Sequence, residues 1–247
     1  MIDPLKLIAA VLVACTLGAG AFADDFAPLK GTKCGSGGKS VVVFLHGDAS
    51  RGGPATYHCA LMRQMAQEDV TAIVLLRPGD DDAIQIRSGA NHERHDQDTK
   101  ANNDLVAKSW SAVKNANPGE RLVVAGHTDG AAQLGAIIGR YPGLVNSAML
   151  QSCLCDFKTW RAKYRPFSRR EKQSPIKFVG TIGQGMRVIA LTGANDDTMW
   201  PGLAEAYVAN VKSAGTPARF VKTSGVNHWN GTLQSAGAKT MITEATR

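Results

Sequence analysis

Three short stretches of the 247-residue chain hold side chains suited to acyl-transfer chemistry. They are Gly126-His127-Thr128-Asp129-Gly130, Gly193-Ala194-Asn195-Asp196-Asp197 and Gly225-Val226-Asn227-His228-Trp229. A hydroxyl is a weak nucleophile until a base takes its proton. An imidazole serves as that base when a carboxylate fixes its orientation. Thr128 supplies the hydroxyl, His228 the imidazole and Asp196 the carboxylate, with Asp197 as the reserve acid. Taken singly the stretches say little. Asp196 and Asp197 also suit an Asx turn ahead of a helix near Pro201, and a lone histidine is commonly structural. The order hydroxyl, acid, histidine is what joins them.

Strands alternating with helices must position these residues. Continuous apolar runs at Val41 to Leu45, Thr71 to Leu76, Leu122 to Ala125, Leu144 to Gln151, Val188 to Leu191 and Ala218 to Thr223 read as strands, mostly buried on both faces. Helices are expected from Thr56 to Glu68, Lys100 to Asn117, Ala131 to Arg140, Leu203 to Ala214 and Thr232 to Thr246. The alternation predicts one α/β domain, a mainly parallel sheet with helices on both faces. Ligands of such sheets gather beyond the carboxyl ends of the strands, and each of the three stretches follows a strand. The elbow's flanking glycines allow backbone to approach closely at a strand-to-helix turn.

These residues, together with Leu45-His46-Gly47-Asp48, Arg77-Pro78-Gly79 and Pro201, give the chain its likeness to a known family. From about Val41 onward it resembles the α/β-hydrolase superfamily, near the dienelactone-hydrolase and prolyl-oligopeptidase-like branches. The resemblance implies an α/β-hydrolase fold and hydrolysis of ester, amide or related acyl bonds. It makes Thr128 the nucleophile, His228 the base and Asp196 the orienting acid. It assigns the oxyanion hole to the backbone N–H of Asp129 and a second N–H at Asp48 or Ala49. No metal or organic cofactor is implied, and the partner is a small-molecule or peptide substrate. The family usually has two further strands before the His-Gly strand. Here the lead from Gly31 to Ser40 reads as polar and Gly-rich, so a shortened sheet of about six strands is expected.

Threonine stands where the family carries serine. Its hydroxyl has similar chemistry, but the added methyl stiffens χ1 and crowds a turn that is already strained. Strained positions of this kind cost on the order of 1–3 kcal/mol, and about 1.4 kcal/mol is a tenfold change in rate. Three readings stay open: a slow hydrolase, a non-catalytic binding protein on the same fold, or an engineered replacement of serine. Asp129, directly after Thr128, reads as a solvent-facing acid favoured by the helix N-terminus. His127 is expected to pack against the sheet without a catalytic role.

Lys6, the apolar run Leu7 to Ala14, and Ala21-Phe22-Ala23 ahead of Asp24-Asp25 read as a signal peptide over 1–23. That predicts an exported bacterial protein, periplasmic or secreted. The apolar run is shorter than the about 20 residues of a membrane span. A competing reading takes Leu12-Val13-Ala14-Cys15 as a lipobox, with Cys15 lipidated and membrane-anchored; an uncleaved N-terminal helix is a third. Cleavage leaves Cys34, Cys59, Cys153 and Cys155, enough for two disulfides, or for one disulfide and two buried thiols. Cys153-Leu154-Cys155 lacks the second ligand pair of a zinc site.

The net charge is +7, but the basic residues are mostly spread along the chain and carry no nucleic-acid-binding pattern. One exception is Trp160 to Lys177, with seven cations and one acid. It lies within a short basic insertion near 157–187, read either as a lid favouring anionic or polar substrates or as a solvated surface. His92 and His95, with Glu93 and Asp96, match no metal-ligand spacing and read as a solvated loop.

Overall fold

The computed structural model of the protein describes residues 26–35, 37–48, 62, 70–79, 98–164, 173–228 and 243. The signal-peptide and lipobox readings, Ala49, Cys59 and the His92 to His95 loop lie outside the described residues. So do nearly all of the two helices expected at 56–68 and 232–246, and residues 165–172 of the basic insertion.

Seven strands form one sheet: β1 Gly31–Gly35, β2 Ser40–Leu45, β3 Thr71–Leu75, β4 Arg121–His127, β5 Ser147–Gln151, β6 Arg187–Gly193 and β7 Ala218–Thr223. Their spatial order is β1-β3-β2-β4-β5-β6-β7. All neighbouring pairs are parallel except β1 with β3. The central strands are continuous apolar runs because helices cover both faces. Two sets of buried side chains follow from their alternation. Val41, Val43, Leu45, Leu122 and Val124 pack on one side, and Val42, Phe44, Val123 and Ala125 on the other.

One strand more is present than the sequence led us to expect. Gly31-Thr-Lys-Cys-Gly, taken as a polar lead, is the antiparallel edge strand β1. Its residues hide the pattern: an edge strand need bury little, and Lys33 points to solvent. Gly31 is required there, since a Cβ would lie 2.7 Å from the Val74 carbonyl oxygen. The opposite edge, β7, exposes Arg219 and Lys222, charges that discourage edge-to-edge pairing.

Four α-helices are described: α1 Lys100–Ala116, α2 Asp129–Arg140, α3 Phe157–Lys163 and α4 Pro201–Ser213. Thr99 caps α1, accepting the Asn102 N–H at 3.3 Å. The central helix is α2, buried from Gly130 to Gly139. Its glycines admit the 3₁₀ turn Pro175–Thr181, because Cβ atoms at Gly135 and Gly139 would meet Pro175 Cβ at 2.9 Å and the Phe178 carbonyl oxygen at 2.3 Å. A helix this enclosed holds its N-terminus, and so Thr128, in a fixed place.

Candidate active site

The elbow is built. Thr128 ends β4 and precedes α2 with φ 49° and ψ −111°, a left-handed conformation that a β-branched residue adopts only under constraint. Two sets of contacts impose it. The Thr128 N–H donates to the Gln151 carbonyl at 2.9 Å, and the Thr128 carbonyl accepts from Ala132 at 3.0 Å. A Cβ at Gly126 would lie 2.5 Å from the Gly130 carbonyl oxygen, and one at Gly130 would lie 2.3 Å from that of His46. Neither glycine can be replaced without parting β4, α2 and the end of β2. The threonine hydroxyl makes no capping bond to its own helix.

Beyond β6, the loop from Ala194 to Trp200 carries the acid. Asp196 Oδ1 accepts the N–H groups of Thr198 at 3.1 Å and Met199 at 2.8 Å. Its other oxygen, Oδ2, accepts Nδ1–H of His228 at 3.1 Å, with both side chains buried. The Asx turn expected as one alternative is present, and the same carboxylate also binds His228. Burial alone would raise the Asp196 carboxyl. The bond from His228, the Met199 N–H, the His228 charge and the Ser152 hydroxyl outweigh it and bring the carboxyl below its ordinary value. Asp197, the reserve acid, is exposed, and its carbonyl accepts from Tyr164 Oη and Lys163 Nζ.

The loop carrying His228 rests on the acid loop. Ala194 donates to the Thr223 carbonyl at 2.7 Å and Asn195 to that of Val226 at 3.0 Å. The approach requires Gly193, where a Cβ would lie 2.2 Å from the Val226 carbonyl oxygen. With Nδ1–H given to Asp196, Nε2 is left as the proton-accepting nitrogen.

His127 is closer to the chemistry than its sequence position suggested. Its ring stacks on that of His228, with centroids 5.6 Å apart and planes 26° from parallel. Burial, then the neighbouring His228 charge, push its pKa down to about 3. A neutral ring therefore covers one face of the imidazole. Thr128 is thus next in sequence to a ring that stacks on His228.

Of the three residues expected to supply oxyanion donors, Asp129 and Asp48 are described. Asp129 opens α2, half-buried, and its N–H belongs to the first turn. Asp48 follows His46-Gly47 beyond β2 and is exposed; Ala49 is outside the described residues. His46 fixes this turn. Its Nε2 accepts the Arg77 N–H at 3.0 Å and its Nδ1–H donates to the Gly47 carbonyl at 2.7 Å. Arg77 is itself buried, its Nε bonded to Gln133 of α2 at 2.9 Å.

Two further features surround the acid loop. Cys153 and Cys155 form a disulfide directly after β5. Leu154 between them packs with Ala132, Phe157 and Met199. The described start of the basic insertion, α3, sets Trp160 Nε1 on the Thr198 carbonyl at 3.0 Å and Lys163 over the Trp200 ring at 4.6 Å. Among the described residues, no cluster of histidine, cysteine and carboxylate residues could hold a metal ion. No described helix is long and apolar enough to cross a membrane.

Neither a protein-family model nor a curated protein matches the chain in sequence. Solved structures do match it. An esterase from Pyrococcus furiosus is similar with a TM-score of 0.66 at 12% identity, over 89% of this chain and 88% of that one. A Klebsiella pneumoniae protein described as a dienelactone hydrolase aligns with a TM-score of 0.59 at 15% identity, over 85% of each chain. An acylaminoacyl peptidase from Pyrococcus horikoshii gives 0.62 at 11% identity, over 88% of this chain but only 38% of that one. Strand order, elbow and these likenesses agree: the chain has the α/β-hydrolase fold.

Proposed function

We propose that the protein is an exported hydrolase of ester, amide or related acyl bonds, working through Thr128, His228 and Asp196. The observation that carries this reading is the buried Asp196–His228 pair beside a threonine held in the strained elbow conformation. A surface threonine has no need of that backbone. The esterases and hydrolases among the structural neighbours support the same reaction class.

In this mechanism His228 Nε2 takes the Thr128 proton as Oγ1 attacks the acyl carbon. Asp196 holds the imidazole and stabilises its charged form. The Asp129 N–H, with a second from Asp48 or Ala49, meets the developing oxyanion. His228 then protonates the leaving group, and water resolves the acyl-enzyme by the reverse path. The substrate is a small molecule or peptide. Arg161 and Lys163 favour anionic acyl or leaving groups; equal Michaelis constants for anionic and neutral esters after reversing both charges would remove that element.

A second reading, a binding protein with a silenced nucleophile, is favoured by one observation. The Thr128 methyl sits on a turn with no slack. A fluorophosphonate probe separates the two, applied to the wild type, Thr128→Ser and His228→Ala. Labelling of the wild type that His228→Ala abolishes supports the hydrolase. Labelling of Thr128→Ser alone means a built but silent site, and labelling of neither ends the hydrolase reading.

A further inference from the structure

The acid loop is held from outside as well as from within. On its inner side Asp196 Oδ1 accepts the Thr198 and Met199 N–H groups. In a trans peptide the carbonyl points opposite to the N–H, so the Asp197 and Thr198 carbonyls face away from the carboxylate. A surface loop commonly leaves such carbonyls to water. Here α3 takes them. Trp160 Nε1 donates to the Thr198 carbonyl at 3.0 Å. Tyr164 Oη donates to the Asp197 carbonyl, and Lys163 Nζ reaches the same oxygen at 3.4 Å. Tyr164, at the end of the helix, lies one turn beyond Trp160, so the two aromatic donors share a face.

The helix that supplies these donors is itself fixed. It starts directly after the Cys153–Cys155 disulfide. Asp156 caps it, accepting the Lys158 and Thr159 N–H groups at 2.9 and 3.3 Å. The Phe157 N–H donates to Ser174 Oγ at 3.1 Å. Leu154 and Phe157 pack with Met199, the residue whose N–H the acid accepts. The Trp160 and Tyr164 rings lie 5.1 Å apart, and Tyr164 lies 6.2 Å from Trp200. A merely solvated surface helix has no reason to set three donors on two consecutive carbonyls.

We propose that Trp160 and Tyr164 are positioning residues for the catalytic acid, acting through two peptide groups of its loop. Each peptide group has a donor of α3 on its oxygen and Asp196 Oδ1 on its hydrogen. Trp160 acts through the peptide joining Thr198 to Met199. Tyr164, with Lys163, acts through the peptide joining Asp197 to Thr198. A donor on the oxygen polarises the amide and strengthens the bond its N–H gives to the carboxylate. The same contacts keep the two peptides from turning, so Oδ1 stays fixed and Oδ2 stays on His228. The first helix of the basic insertion thereby serves the triad through its aromatic donors, independently of what its cations do for the substrate.

The proposal rests on the hydrolase reading of the site, so its test has one arm that needs no turnover. That arm is nuclear magnetic resonance of the Thr198 and Met199 amide nitrogens, which respond to bonding at the attached carbonyl far more than to nearby rings. The other is the fluorophosphonate labelling rate. Both are measured for wild type, Trp160→Phe and Tyr164→Phe, which keep an aromatic ring and remove one donor each, with the fold checked by circular dichroism. We expect Trp160→Phe to move the Met199 nitrogen upfield and leave that of Thr198 nearly in place. Tyr164→Phe should do the reverse, and by less, because Lys163 keeps the same oxygen. Labelling should slow about fivefold in Trp160→Phe, the weight of one neutral hydrogen bond, and less in Tyr164→Phe. Should Trp160→Phe not fold, Tyr164→Phe carries the same test on the Thr198 nitrogen. A general loosening of the loop would move both nitrogens together in either variant, and that result overturns the proposal. So does a Met199 nitrogen that stays in place in Trp160→Phe, or labelling of both variants at the wild-type rate. If the wild type takes no label, the hydrolase reading fails, and the nitrogen shifts alone decide whether α3 acts on the peptides that hold Asp196.

Discussion

Thr128 and Ser152 directly follow adjacent parallel strands, both carry hydroxyls, and both hold positive φ. They differ in what surrounds the side chain. Thr128 is 7% exposed, stands at the head of a buried helix and makes no capping bond. Ser152 is wholly enclosed, its Oγ meets no hydrogen-bond partner, and its N–H donates to the Leu191 carbonyl. The same backbone device thus leaves one hydroxyl slightly exposed at the head of a helix and encloses the other completely.

Substitutions can break or sharpen this contrast. The largest effect belongs to the carboxylate bonded to His228. Asp196→Asn should lower the labelling rate by about 10⁴-fold, because the amide cannot hold the imidazole in the productive tautomer; a loss below about tenfold would remove Asp196 from the triad. Next comes Thr128→Ser, which relieves the methyl and should raise labelling by about 10 to 100-fold, a barrier change of roughly 1.4 to 2.7 kcal/mol. An unchanged rate would show that the methyl is harmless. Glycine then compares strain at the two turns. Thr128→Gly should stabilise the fold by about 1–2 kcal/mol and Ser152→Gly by less, since the β-branched residue is the more strained. Chemical denaturation reads both, and the reverse ranking would contradict the account of the elbow.

A separate effect concerns pH. His127 stays neutral in the fold down to about pH 3, whereas an unfolded imidazole takes a proton near its ordinary value of 6.5. The unfolded state therefore binds the extra proton in between. Stability from this group is fully present above about pH 6.5 and is lost as pH falls toward 3. His127→Phe keeps a stacked ring and removes the proton site. Its melting temperature should fall less than the wild type's between about pH 7 and about pH 4.5. Equal falls would mean that His127 does not carry this acid sensitivity.

Much of the architecture was legible because buried parallel strands are written as unbroken apolar runs. Each of the six strands read from the sequence is present, with ends moved by a few residues. β1 was not legible, because an edge strand of Gly, Thr, Lys and Cys has no apolar run to show. The three site stretches were legible as post-strand turns in the right order. The place of His127 was not, since no local spacing records that it stacks on a ring about a hundred positions away. Positive φ at Ser152 also left no trace, since glycine, the residue that would advertise it, is absent. The Cys153–Cys155 pairing was not legible either, because cysteine spacing leaves connectivity open; the structure closes that pair and leaves Cys34 as a thiol.

The contact between Gly130 and the end of β2 bears on how far side chains can vary on this fold. The spacing between Gly130 and the carbonyls of Leu45 and His46 is set by main-chain atoms and leaves no room for a single methyl group. Main-chain atoms do not mutate. Side chains around them can vary while the gap keeps its width, provided the glycine stays. A chain sharing 12% of its residues with an esterase can thus share that esterase's fold.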